Sequence, residues 1–355
     1  MKICIVDIQK PHAGSGSGIG EYTYQLVKGL KKKKNVEVTE FYAVQRVGRF
    51  DIKNLIYINT LFKAKLASLA KRDFDIIHIT NHEIGFAAKI LKQRGTKAKI
   101  ITTIHDAIRL HSRHSDSMLQ RHYNRLVKVS IKDACEFSDM VMFDSTLTKM
   151  EISKFFTYNE GIVISLGVKD NLMKNPAVKK RNTPFIVGYI GSFGINKNVI
   201  SILNVAKILK ESSIRFHIYG NGPEYDKLLA FKDKNDLSNV EFKGFAPEDR
   251  LAEIYDSFDV FFFPSVYEGF GMPILEAQAR GLPVIVFQKS LIPKETKKCC
   301  INAKDEKDAA SIILDLKRKG FDKKDRNAEI KYARGFTWEK FLQDTYSAYK
   351  RVLKG

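Results

Sequence analysis

The sequence predicts an α/β protein built from two doubly wound, Rossmann-like domains. Three observations predict it. Short β-branched apolar runs alternate with amphipathic helical stretches along the chain, the pattern of parallel sheets covered on both faces. A polar, basic stretch without periodicity, residues 169–183, interrupts that alternation near the middle. The 355 residues suit two domains of roughly 150–200 residues better than one core.

In chain order, strands are expected over 2–7, 36–44, 75–80, 99–105, 140–144 and 162–166, with helices between them that include 20–32, 84–93 and 118–137. The second half repeats the scheme, with strands over 185–191, 215–220, 240–243, 259–263 and 283–287. Its helices are expected over 199–211, 247–257, 272–280 and 306–319. Near the end, Trp338, Phe341, Leu342, Tyr346, Tyr349 and Val352 form one apolar helical stripe. The expected organisation is a first domain over 1–168, a linker over 169–183, a second domain over 184–335 and a terminal helix over 336–355.

No apolar run approaches the ~18 residues of a membrane span. Asp7 and Lys10 interrupt any apolar stretch at the start, so a secretory signal is not expected there and a cytoplasmic protein is. Cys4, Cys135, Cys299 and Cys300 show no metal-ligand spacing and read as free thiols of a reducing compartment. The net charge is +20, and residues 1–168 carry +11 of it. Residues 109–132 hold Arg109, Arg113, Arg121, Arg125, Lys128 and Lys132 against Asp116 alone, with His111, His114 and His122 among them. Part of that stretch, 118–132, forms a helix with Leu119, Tyr123, Leu126 and Val127 toward one side. Such a helix can rest on an anionic bilayer, or pack its apolar side on its own sheet.

Ligands of doubly wound sheets sit at the carboxyl ends of the strands, and the candidate motifs fall there. Gly14, Gly16, Gly18 and Gly20 form a loop after the first strand and before a helix, which lets the backbone approach an anion. His105-Asp106 ends a strand, where a histidine can donate to a hydroxyl or stabilise developing charge. Lys197, in Gly191-Ser192-Phe193-Gly194-Ile195-Asn196-Lys197-Asn198, can reach a phosphate. In Glu268-Gly269-Phe270-Gly271-Met272-Pro273-Ile274-Leu275-Glu276, Pro273 suits a first helical turn, and the amides before it suit a diphosphate. Glu276 is placed to accept from diol hydroxyls such as those of a ribose, and Glu268 from a second set. Taken singly, each motif has a plainer alternative: a surface loop, a structural histidine, a solvated lysine, a helix-terminal charge. The pairs His78/His82 and His111/His114 lack a third ligand, so no metal site is expected.

Together these motifs resemble family 4 of the retaining glycosyltransferases, with the GT-B fold of two domains facing a central cleft. Gly18-Ile19-Gly20-Glu21-Tyr22, His105-Asp106, Ser145 to Phe156, Gly167-Val168, Tyr219-Gly220-Asn221-Gly222-Pro223-Glu224, Lys243-Gly244-Phe245 and the Glu268/Glu276 pair carry the resemblance. It implies transfer of a sugar from a nucleotide-diphosphate-sugar donor to an acceptor hydroxyl, with retention and without a metal or cofactor. It implies that His105 and Glu268 are catalytic, His105 meeting the sugar near the reacting carbon and Glu268 holding its hydroxyls. Glu276 would hold the ribose, the amides of Gly269, Phe270, Gly271 and Met272 the diphosphate and sugar, and Lys197 the leaving diphosphate. Gly244 and Phe245 would border the base, with Gly16 and Gly18 also at the donor. Many members carry an Arg shortly before the phosphate Lys; Ser192 to Asn196 contain no basic residue.

Three other readings compete. A nucleotide-sugar epimerase or phosphorylase could use a similar fold, and the Glu268/Glu276 spacing favours transfer. A basic nucleic-acid binder is compatible with the charge, but no recognised module is present, so no nucleic-acid partner is expected. A dead scaffold conflicts with the intact Glu pair. The expected partners are the donor and an anionic or lipid-linked acceptor at the cytoplasmic membrane face.

Overall fold

The structure, a computed structural model, describes residues 1–11, 18–44, 61–111, 118–174 and 184–355. The chain divides into two units, one of Met1–Leu166 with Trp338–Gly355, the other of Gly167–Thr337.

Among its described residues the N-terminal unit carries six parallel strands: β1 (Lys2–Gln9), β2 (Glu37–Val44), β3 (Ile76–Ile79), β4 (Lys99–Ile104), β5 (Met140–Phe143) and β6 (Gly161–Val163). Its helices are α1 (Gly18–Lys31), α2 (Lys63–Leu69), α3 (Phe86–Gln93), α4 (Ile108–His111), α5 (Met118–Phe137) and α6 (Thr146–Ser153). The sheet order is β2-β1-β3-β4-β5-β6. Central strands such as β3 are buried along their whole length, the burial that a parallel sheet covered on both faces requires.

The C-terminal unit carries β7 (Phe185–Ile190), β8 (Ile214–Tyr219), β9 (Val240–Gly244), β10 (Val260–Phe262), β11 (Val284–Phe287) and β12 (Ile301–Ala303). Its helices are α7 (Ile200–Ile208), α8 (Tyr225–Lys234), α9 (Leu251–Asp256), α10 (Met272–Ala279), α11 (Lys294–Lys297), α12 (Glu306–Lys319) and α13 (Lys323–Ala333). The order is β12-β11-β10-β7-β8-β9. Helix α14 (Trp338–Lys354) then packs in the N-terminal unit: Tyr349 bonds His78 (2.6 Å), and the Phe341 ring meets Tyr22.

The structure corrects several expectations. The linker stretch is not uniformly irregular, because Asp170–Leu172 form a 3-10 turn held in the C-terminal unit; residues 175–183 lie outside the described residues. Arg280, buried and paired with Asp256, donates to the carbonyls of Leu172 and Lys174 and so fixes that turn. The helix expected over 247–257 divides into a 3-10 turn, Glu248–Arg250, and α9. Helices α8 and α13 and strand β12 were not anticipated. In α13 only Glu329 and Ala333 are buried, so it offers no apolar stripe to read. Its start is set instead by Asp322, which accepts from the amides of Lys324 and Asp325.

Candidate functional site

In a doubly wound sheet the ligand crevice lies where the strand order reverses. In the C-terminal unit that point is between β7 and β10. Stacked rings fix the end of β10: Phe263 lies on Tyr189 (6.1 Å) and on Phe261 (5.9 Å). Each such pair adds about 0.5–1.5 kcal/mol beyond its burial. The loops that follow the two strands are tied together, since the Asn196 carbonyl accepts from Val266 N (2.8 Å).

This ties two predicted residues to one another. Lys197 Nζ donates to both carboxylate oxygens of Glu268, at 2.7 and 2.9 Å. Ser265 Oγ donates to Glu268 Oε1 at 2.5 Å. Lys197 is presented by the turn Ile195–Lys197, which ends at Asn198 in the left-handed region (φ 51°), a conformation asparagine tolerates. Glu268 is only 7% exposed, so its charge is compensated by Lys197 rather than by water.

Immediately downstream, Gly271 caps α10 at φ +92°, where a side chain would be strained, and Pro273 occupies the first turn. A helix start carries a partial positive charge that favours an anion, although here Ile274 N already bonds the Gly271 carbonyl (3.1 Å). Glu276, one turn further, is 7% exposed and accepts from the Tyr255 hydroxyl (2.9 Å). Burial, reinforced by Glu276, pushes the Tyr255 hydroxyl far above its ordinary pKa, so it stays a donor. Gly269 and Met272 are half-buried; Phe270 is buried against Phe336 and its carbonyl accepts from Thr296 Oγ1 (2.8 Å). Gly244 ends β9 at φ +68°, and Phe245 projects with 63% of its surface exposed.

In the N-terminal unit the order reverses between β1 and β3. His105, just after β4, is buried. Its Nδ1 meets Asp144 Oδ2 (2.7 Å) and its Nε2 the Thr80 carbonyl (2.8 Å). His78 is a core residue: its nitrogens meet Tyr349 (2.6 Å) and Thr103 (2.8 Å), and burial pushes its pKa down to about 3. Gly18 is the exposed first residue of α1, two residues earlier than expected for that helix; Gly16 lies outside the described residues.

Sequence reasoning did not find Asp144, Thr80, Ser265 or Tyr255. None belongs to a motif; each becomes a partner only through strand order. The basic helix α5 is also corrected in part. Val127, Ile131 and Ala134 are buried within the unit, so its apolar stripe serves the core. Arg121, His122, Arg125, Lys128, Val129 and Lys132 face outward. Arg113, His114 and Asp116 lie outside the described residues. No helix among the described residues is long and apolar enough to cross a membrane.

Comparison with known proteins bears on the fold. Residues 173–336 match the family model glycosyl transferases group 1. The O-antigen chain mannosyltransferase B of Escherichia coli is 26% identical over 247 residues, which cover 64% of this chain and 64% of that relative. Solved structures align over almost the whole chain. Sucrose-phosphate synthase from Thermosynechococcus elongatus has a TM-score of 0.80 at 19% identity, covering 99% of both chains. Anabaena HepE in complex with UDP and glucose has a TM-score of 0.75 at 16% identity, covering 99% of this chain and 100% of that one. The fold is therefore GT-B, and the second half of the chain is similar to the group 1 glycosyltransferases.

Proposed function

We propose that this protein is a retaining hexosyltransferase that moves a sugar from a nucleotide-diphosphate-sugar to an acceptor hydroxyl without a metal ion. The observation that carries the reading is the Lys197–Glu268 pair beside the Gly271-capped start of α10, with Glu276 one turn further along. One site thus offers a cation and a helix start for a diphosphate and two buried carboxylates for hydroxyl groups. Lys197 neutralises the leaving diphosphate, Glu268 holds the transferred sugar, and Glu276 holds the ribose. Gly244 and Phe245 border the base. The UDP in the HepE structure supports a nucleotide donor. Retention follows from the family resemblance.

Metal independence is supported by the same cation and helix start, which take up charge that a metal would otherwise take. The test is a panel of nucleotide sugars, with and without candidate acceptors, in excess chelator. Transfer to an acceptor at undiminished rate, with the anomeric configuration kept, is expected. Activity lost in chelator and restored by Mg²⁺ or Mn²⁺ would refute the metal-free reading, and isomerised donor without an acceptor product would favour an epimerase.

The acceptor is proposed to be anionic or lipid-linked, met at the cytoplasmic membrane face. The outward cations of α5 support this, each contributing about 1 kcal/mol near an anionic surface. The unpaired state of all four cysteines fits a reducing compartment. Because the helix's apolar stripe is occupied in its own unit, binding should be electrostatic. Co-sedimentation with phosphatidylglycerol vesicles is expected at low salt and should be lost as salt screens it. No co-sedimentation at low salt, with efficient transfer to a neutral soluble acceptor, would remove the membrane.

A further inference from the structure

The loop after β11 has little burial to hold it: Gln288, Lys289 and Leu291 are exposed. It is held by a side chain instead. Lys297 Nζ, at the end of α11, donates to the carbonyls of Phe287 (3.1 Å), Gln288 (2.9 Å) and Ser290 (3.2 Å). Three acceptors converging on one nitrogen match the three hydrogens of an ammonium. All three are thereby committed to the loop, so Lys297 is not a spare cation for a phosphate. Its own base is firm. Beside it Thr296 is fully buried and donates to the Phe270 carbonyl (2.8 Å), and Tyr332 of α13 donates to the Glu295 carbonyl (2.7 Å).

The loop in turn holds the backbone of Glu268. Leu291 N donates to the Val266 carbonyl (2.8 Å), and the Leu291 carbonyl accepts from Glu268 N (2.9 Å). These two bonds straddle Tyr267, which pairs with Leu291 as a parallel bridge. Ser290 Oγ adds a third tie, donating to the Ser265 carbonyl (2.5 Å). Glu268 is thus held at both ends, its carboxylate by Lys197 and Ser265 Oγ and its amide by the loop.

We propose that Lys297 is a positioning residue for Glu268: by gathering the carbonyls of Phe287, Gln288 and Ser290 it sets the loop whose Leu291 fixes the Glu268 backbone, and so sets where the Glu268 carboxylate meets the transferred sugar. This rests on the reading of Glu268 as the group that holds that sugar. Every group in the chain of contacts lies in the C-terminal unit. A carboxylate that meets a reacting sugar tolerates little displacement, because a shift of about 1 Å can cost about 100-fold in rate. The ribose is assigned to Glu276 on α10, so a free nucleotide should not sense the brace.

Hydrogen exchange on the full chain tests the brace without any substrate. In Lys297→Met the amides of Leu291 and Glu268 should exchange at least about tenfold faster, while the Phe263 amide, bonded to the Ile285 carbonyl in the sheet, stays unchanged. Unchanged exchange at Leu291 and Glu268 would overturn the proposal, as would an equal acceleration at Phe263, the mark of a general loss of stability. Lys297→Arg keeps the charge, but no guanidinium nitrogen carries three hydrogens. It should show the same pattern at smaller size, and it carries the comparison if Lys297→Met does not fold. With the nucleotide sugar found by the panel, Lys297→Met should lower kcat about 10- to 100-fold and leave the affinity for free nucleoside diphosphate within about twofold of wild type. Lys297→Arg should recover part of the rate. In a Glu268→Ala background, Lys297→Met should cost less than about twofold more, because the group it positions is gone. Losses that multiply in the double variant, or a fall in nucleotide affinity as large as the fall in kcat, would assign Lys297 a merely structural role and overturn the proposal. A wild type without turnover on any nucleotide sugar would overturn the reading of Glu268 instead, and the exchange data decide the brace independently.

Discussion

Glu276→Ala is expected to weaken binding of a free nucleoside diphosphate by about 10- to 100-fold. The proposed contact is a charged acceptor shared between the Tyr255 hydroxyl and the ribose diol. Hydrogen bonds to a charged group contribute about 1.5–3 kcal/mol, and 1.4 kcal/mol is a factor of ten. The truncation also strips Tyr255 of its carboxylate partner inside the unit. Glu268→Ala should behave differently. Its carboxylate is proposed to meet the sugar, which the free nucleotide lacks, and its removal releases Lys197 from the ion pair. Free nucleotide should therefore bind as well as before or more tightly, while sugar transfer falls by at least tenfold. Calorimetric titration with UDP and GDP on both variants checks this. Equal affinity of wild type and Glu276→Ala would sink the assignment of the ribose.

Gly220→Ala should cost the C-terminal unit about 3–5 kcal/mol, or roughly 10 °C in melting temperature. Gly220 follows β8 with φ +145°, a conformation that side chains rarely adopt. An added Cβ would stand 1.8 Å from the Gly191 carbonyl oxygen and 2.8 Å from the Phe193 ring. The first of these is rigid backbone, so the loop that leads to Lys197 would have to move. Substrate turnover should fall with stability for that reason. Gly244→Ala is the control: φ is +68°, but no atom lies within 4 Å of its Cβ position. It should cost only the backbone term, about 1–2 kcal/mol. Equal thermal shifts for the two variants would show that crowding at Gly191 is not the cause.

Much of the architecture was legible because the signals were local. Strand β10 reads as an unbroken apolar run, and a strand buried on both faces has no other option. Helix α14 reads from its single stripe, and α10 from Pro273 just inside its start. Elements without a stripe or cap read poorly. Helix α13 is polar almost throughout, and β12 has three residues, too few for any alternation to show. The amphipathic pattern of α5 was visible, but whether its apolar side met a bilayer or its own core was not. Packing decided that, with Val127, Ile131 and Ala134 turned inward.

The same division runs through the site. By itself the sequence determined the residues placed at strand ends: His105, Lys197, the glycine-flanked turn before Pro273, and the Glu268/Glu276 pair. Spacing along one chain is enough for those, because a strand end and a helix start are local events. Only the tertiary structure decided who meets whom. Lys197 and Glu268 are 71 residues apart and His105 and Asp144 are 39 apart, yet each pair is in hydrogen-bond contact. Their approach depends on strand order, which places β7 beside β10 and β4 beside β5. That order is a non-local consequence of burying the central strands of two sheets on both faces, and no window of sequence contains it.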